Sequence, residues 1–197
     1  MDLQLTDRVV LIVGGTGLIG TAIAQRAREE GARVVVASRG GQGGMTMDAR
    51  DDGSVTDGIA HVLADYGRLD AVVITAAPSA RTLDASRNSD PAQVADAFDG
   101  KTLTFLRVAN AAIPTMVAAG FGRIVGISGQ NAFVTGNLAG SIRNAALIIA
   151  AKNLADQVPG AGEPRDRCRC RQIRRVVTRP DRGPRRLSHL AAVRCVG

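Results

Sequence analysis

The chain has 197 residues, 45% of them apolar and 22% charged, the balance of an ordinary globular domain with a core of its own. Its longest apolar stretches, such as Arg33–Ala37 and Ala145–Ala151, fall far short of the ~18 residues of a membrane span, and Met1–Arg8 is polar without a signal-peptide core, so a cytoplasmic location is expected. The net charge of +7 is not spread over a face: residues 1–158 hold 14 basic and 15 acidic side chains, while residues 159–197 hold 11 arginines and 3 acids.

In chain order, Arg8–Val13 is a short β-branched apolar run that ends at Gly14-Gly15-Thr16-Gly17, as a buried parallel strand does. Apolar residues then recur at helical spacing from Leu18 to Glu30, with Gly31 as the stop, and Arg33–Ala37 is a second buried strand. Strand, glycine turn, helix and strand within about thirty residues make a βαβ unit. Ser38–Met47 is glycine-rich and too short for a full crossover helix. Beyond it the pattern predicts a helix over Val55–Tyr66, a strand over Leu69–Thr75, a long helix over Pro91–Ala119 with a bend expected before Pro114, a strand over Arg123–Ser128 and a helix over Gly140–Gln157. This alternation predicts an α/β class with a parallel sheet.

The segment Gly14-Gly15-Thr16-Gly17-Leu18-Ile19-Gly20 contains both G-x-x-G-x-x-G and G-x-G-x-x-G. Following a predicted strand and opening a predicted helix, it places backbone amides and the positive helix end where a pyrophosphate could meet them, as in a Rossmann-type unit. Gly14, Gly15, Thr16, Gly17, Leu18, Ile19 and Gly20 are thus candidate cofactor-binding residues; a tight turn without a ligand is the alternative. At the end of the second strand stand Ser38 and Arg39. A carboxylate there would favour NAD by holding the ribose hydroxyls, whereas an arginine can pair with a 2′-phosphate, so NADP(H) is preferred over NAD(H). The alternative is that Arg39 is a solvated loop charge.

Several stretches in order resemble the short-chain dehydrogenase/reductase family: the glycine turn, Met47-Asp48-Ala49, Gly67-Arg68-Leu69-Asp70-Ala71-Val72-Val73, Ala112-Ile113-Pro114-Thr115-Met116, Gly122-Arg123-Ile124-Val125-Gly126-Ile127-Ser128 and Asn144-Ala145-Ala146-Leu147-Ile148. The resemblance runs from about Leu5 to Gln157. It implies a doubly wound parallel sheet of order 3-2-1-4-5, contact of Asp48 and Ala49 with the adenine, Ala76 and Ala77 within the turn Thr75–Pro78 that follows the fourth strand, and dimerisation through the two long helices. It also implies oxidoreduction of a small carbonyl or alcohol by hydride transfer.

The family's proton-relay pattern is altered. The resemblance puts Gly140 at the position of the family's Tyr, Asn144 at that of its Lys and Lys101 at that of its helix Asn. Only Ser128 carries over directly, so Ser128 and Asn144 are the candidate catalytic residues. Lys101 would lie near the substrate cleft, where it could hold an anion or act as an acid. Tyr66 precedes a strand and is expected at the sheet edge opposite the nucleotide, and His61 reads as exposed on a helix. The implied function is an NADP(H)-dependent oxidoreductase; the alternative is a catalytically inactive nucleotide-binding or interaction protein of the same fold.

After Gln157 the text changes to Arg-, Pro- and Gly-rich runs. Residues 1–158 are read as the nucleotide-binding domain, with the sheet truncated after the fifth strand and its following helix, and 159–197 as an irregular tail, either disordered or the product of a shifted reading frame. A basic arm for nucleic acid is disfavoured because the tail lacks aromatics for stacking. Cys168, Cys170 and Cys195 are odd in number and have no histidine cluster, so neither a disulfide framework nor a metal site is expected.

Overall fold

The computed structural model describes residues 3–79, 82–157 and 190–195. Strand β1 (Val9–Val13) is buried along its whole length, as the unbroken apolar run requires of a central strand covered on both faces. It pairs in parallel with β2 (Arg33–Ser38) on one side and β4 (Ala71–Ile74) on the other. The two-residue β3 (Met45–Thr46) adds to β2, and β5 (Gly122–Ile127) adds to β4, also in parallel. The order of the first five strands is therefore 3-2-1-4-5, as expected for a doubly wound sheet.

A sixth strand extends this sheet. β6 (Leu190–Cys195) pairs antiparallel with β5, Ile124 opposite Val193. It comes from the segment read as an irregular tail beyond a sheet ending at the fifth strand; the rest of that segment, 158–189 with Cys168 and Cys170, lies outside the described residues.

Helix α1 (Leu18–Glu29) buries only the small residues Gly20, Ala24 and Ala27, which let it lie close on the sheet. Helix α2 (Asp52–Tyr66) starts where Asp51 accepts the Ser54 amide at 2.6 Å and stops at Gly67, which takes the left-handed conformation (φ 69°). Pro91 opens α3 (Pro91–Phe98) behind the Asp90 cap. α3 passes through a π turn at Asp99–Leu103 into α4 (Thr104–Ala118), which continues through Pro114. The departure from α-helical geometry thus falls at Gly100 and Lys101, not at the proline. Helix α5 (Leu138–Gln157) completes the set.

The larger core lies between the sheet and α2, α4 and α5, around Leu11, Val72, Phe105, Val108, Ile124 and Leu147. The smaller lies under α1, around Val10, Ile12, Ala24 and Val36. Asp70 locks the entry to β4: it accepts the Val9 amide at 2.9 Å, Arg8 Nη1 at 2.9 Å and Arg68 Nε at 2.7 Å. Tyr66 ends α2 just before β4, away from the carboxyl ends of the strands, and His61 is exposed beside Asp65. Among the described residues no helix is long and apolar enough to cross a membrane.

Candidate functional site

At the carboxyl end of β1 the chain turns at Gly14 with φ +82°, a conformation that disfavours any side chain. A Cβ there would also stand 2.6 Å from the Ala76 amide nitrogen. Thr75, at the end of β4, ties the two strands together, its hydroxyl lying 3.0 Å from the Val13 carbonyl and 2.9 Å from that of Gly14. Gly20 is packed as tightly, since a Cβ would meet the Gly14 carbonyl oxygen at 2.5 Å. Gly17 differs: a Cβ there would meet only the Gly14 oxygen, at an ordinary 3.5 Å. Gly17 is also the N-cap of α1 and offers no side chain to its first amides, so that helix end faces open space with its donors free of a side-chain cap.

That space is a crevice of about 540 Å³ at the carboxyl ends of β1, β2 and β4, the place where open α/β sheets bind ligands. Of the residues singled out by sequence, Gly14, Thr16, Gly17, Ser38, Arg39, Asp48, Ala49, Ala76 and Ala77 line it. Gly15, Leu18, Ile19 and Gly20 do not. Gly15 backs onto Val36 and Gly20 onto the turn, while Leu18 and Ile19 are exposed on the first turn of α1. Ser38 is buried and its hydroxyl has no hydrogen-bond partner among the described residues. Arg39 is exposed and forms no ion pair among the described residues, whereas Arg50, which also lines the crevice, is held by Asp96 at 3.0 Å and Asp99 at 3.3 Å.

A second cluster stands beside the crevice where β5 delivers Ser128. Ser128 Oγ donates to the Asn144 carbonyl at 3.1 Å, and Asn144 Nδ2 donates to the Gly140 carbonyl at 2.7 Å. The two candidate catalytic residues are therefore together, but the Ser128 hydroxyl and one Asn144 amide hydrogen are committed to the backbone of α5. Asn144 Oδ1 is buried without a donor among the described residues. Lys101 is buried from the π turn, and Arg143 from α5. Arg143 Nη1 donates to the Pro78 carbonyl at 3.1 Å, and its Nε is buried with no acceptor among the described residues. Thr102 Oγ1 donates to the Arg143 carbonyl at 2.9 Å and fastens the π turn to α5.

Burial, reinforced by the Arg143 charge, lowers the Lys101 ammonium to about 8. Burial likewise pushes the Arg143 guanidinium below its usual value. Arg143, Thr75 and Pro78 were missed as site residues in the sequence. A lone arginine inside the apolar run of α5 was a signal that could have marked the first; the other two show themselves only through strand ends brought together by the sheet.

Comparison with known proteins agrees with this geometry. A family model described as enoyl-(acyl carrier protein) reductase matches residues 16–162. The chain is similar to the (2S)-[(R)-hydroxy(phenyl)methyl]succinyl-CoA dehydrogenase subunit BbsC of Thauera aromatica, with 30% identity over 144 residues, 65% of this chain and 57% of that protein. Among solved structures it resembles a short-chain dehydrogenase from Streptomyces avermitilis (TM-score 0.70, 26% identity, 77% of this chain and 60% of that one). It also resembles the aldohexose dehydrogenase of Thermoplasma acidophilum (TM-score 0.66, 26% identity, 79% of this chain and 64% of that one). The chain spans about three-fifths of the length of these relatives. A family match over most of its residues, on a sheet of this order with its crevice at this edge, means that the chain belongs to the short-chain dehydrogenase/reductase family.

Proposed function

We propose that the chain binds NADP(H) in the crevice and serves oxidoreduction of a small carbonyl or alcohol. The observation that carries this reading is Gly17: its missing side chain is not demanded by the protein's own packing, and it leaves room for a phosphate at an uncapped helix end. Ser38 and Arg39 would hold the 2′-phosphate, a hydroxyl and a guanidinium at the end of β2 that have no partner among the described residues. Asp48 and Ala49 would border the adenine, and Ala76 and Ala77 the inner part of the cofactor. The bound nucleotide supplies the hydride; the protein's share is to hold it and to exclude water from the inner wall, where Pro78 packs against Gly100.

Titration calorimetry of the full chain with NADPH and NADH tests this directly. NADPH is expected to bind at least tenfold more tightly than NADH, and Arg39→Asp to remove that preference. Equal binding of both by the parent chain would remove the 2′-phosphate from the reading.

Gly140 and Asn144 favour a second reading, in which the chain holds nucleotide without turning over substrate. Neither side chain can donate a proton as a tyrosine does. The printed name of the Thauera relative is that of a dehydrogenase subunit, and a chain of this kind could serve beside a catalytic partner. Oxidation of NADPH by a panel of small carbonyls separates the two: turnover by the purified chain supports the enzyme, and tight binding without turnover supports the subunit.

A further inference from the structure

Two buried cations lie near enough to repel each other, with no counter-ion among the described residues. Lys101 keeps 9% of its surface exposed and Arg143 only 3%. Neither forms an ion pair among the described residues, although carboxylates are near in sequence. Asp96 is taken by Arg50, and Asp99 by Arg50 and Arg107, the latter at 2.8 Å. Arg143 spends one nitrogen on the Pro78 carbonyl and buries Nε with no acceptor among the described residues. Buried charges are ordinarily paired, and buried donors are ordinarily satisfied. Here a fixed guanidinium and an ammonium that repel each other are held together by the Thr102 bond to α5, which keeps the π turn against the helix.

The pair also adjoins a ligand site. Gly100 and Thr104, on either side of Lys101, line the nucleotide crevice, as does Pro78, which orients Arg143. We propose that Lys101 and Arg143 form a seat for a small oxyanion, a carboxylate or a phosphate group, beside the inner end of the crevice. An oxyanion accepts from both cations at once and supplies the acceptor that Arg143 Nε lacks. The remaining exposed surface of Lys101 is the way in. If the chain is an oxidoreductase as proposed, the group belongs to its substrate, which is then an acidic carbonyl or alcohol; the seat itself does not depend on that reading.

The chain contains only two lysines, Lys101 and Lys152, and Lys152 is exposed on α5, so it serves as an internal control. Competitive labelling of the full chain with a lysine-acylating reagent, read by mass spectrometry, is run in chloride, acetate and phosphate at constant pH and ionic strength. Acetate or phosphate is expected to slow labelling of Lys101 at least fivefold, saturably, and to leave Lys152 unchanged. Equal labelling of Lys101 in all three salts overturns the proposal, because the cations are then neutralised within the chain.

Thermal melting gives a second readout. Acetate is expected to raise the parent's Tm saturably over chloride, and Lys101→Met, or Lys101→Gln in its place, to melt higher than the parent in chloride and lose the acetate response. A variant that responds like the parent refutes the seat, since phosphate and similar salts stabilise any fold weakly by exclusion. Repeating the labelling with saturating NADPH assigns the source. Acetate protection lost under NADPH means that the oxyanion is the cofactor's own phosphate, and protection retained means that it is a substrate's acidic group. If NADPH does not bind, the acetate arm still tests the seat alone.

Discussion

Gly17 and Gly20 look alike in a glycine-rich motif, yet the packing around them asks different things of each. At Gly20 a methyl group would collide with backbone at 2.5 Å, so Gly20→Ala is expected to cost about 1–3 kcal/mol of stability. At Gly17 the backbone is extended (φ −76°, ψ 165°) and a methyl group has room, so Gly17→Ala should change stability by less than about 0.5 kcal/mol. Its effect is expected on the ligand: NADPH affinity should fall by about tenfold or more, since a Cβ would project into the phosphate's place. Urea unfolding and calorimetric titration of the two variants check the contrast. Weakened binding in Gly20→Ala alone would mean that the phosphate sits elsewhere.

At the scale of elements, Asp70 shows how a short strand is held in register. Burial would raise its carboxyl, but the Arg68 guanidinium, the Val9 amide and Arg8 together hold it below the usual carboxylate range. A depressed folded value gives a stabilisation that is complete above the unfolded value near ~4 and is lost as pH falls below it through the folded one. Asp70→Asn is therefore expected to cost about 2–3 kcal/mol at neutral pH and to flatten the acid limb of the stability curve. Chemical denaturation from neutral to acid pH measures both effects.

The strands β1, β2, β4 and β5 were legible because each is a β-branched or apolar run closed by glycine, serine or threonine, and burial on both faces demands that composition. The sequence predicts a bend before Pro114 in one long helix, whereas the departure from α-helical geometry lies at Asp99–Leu103, because a π turn is set by how the helix docks on Pro78 and α5, which local composition does not record. Half of the candidate site was readable for the same reason: the glycine turn is local in sequence, whereas Lys101 and Arg143 come near each other only in the folded chain.

For the whole molecule, the two faces of the sheet are unequally covered. The face under α2, α4 and α5 holds most of the large side chains, while the described elements cover the other with α1 alone. β5 records this in part, since Arg123 and Val125 on that face are half-buried, in contrast to the fully buried β1. β6 therefore matters more than its six residues suggest, since it covers the open hydrogen-bonding edge of β5. A chain ending at Gln157 is expected to melt several degrees lower than the full chain and to self-associate on size-exclusion chromatography. Equal melting and a monodisperse profile would mean that β6 adds little.

The pairing of β5 with β6 also fixes an order of events during synthesis. All the parallel pairings can form in a nascent chain once Ile127 is available, but the partner of β5 begins only at Leu190, so that Ile124 and Val193, directly opposed in the sheet, are far apart in sequence. Such distant closures come late, because the entropy of bringing together residues so far apart in sequence is spent before the contact gives anything back. For the interval in which more than sixty residues are added, the growing polypeptide carries a bare strand edge able to recruit another chain. Slower translation would lengthen that interval, so the yield of soluble product should depend on elongation rate as well as on the stability of the finished fold.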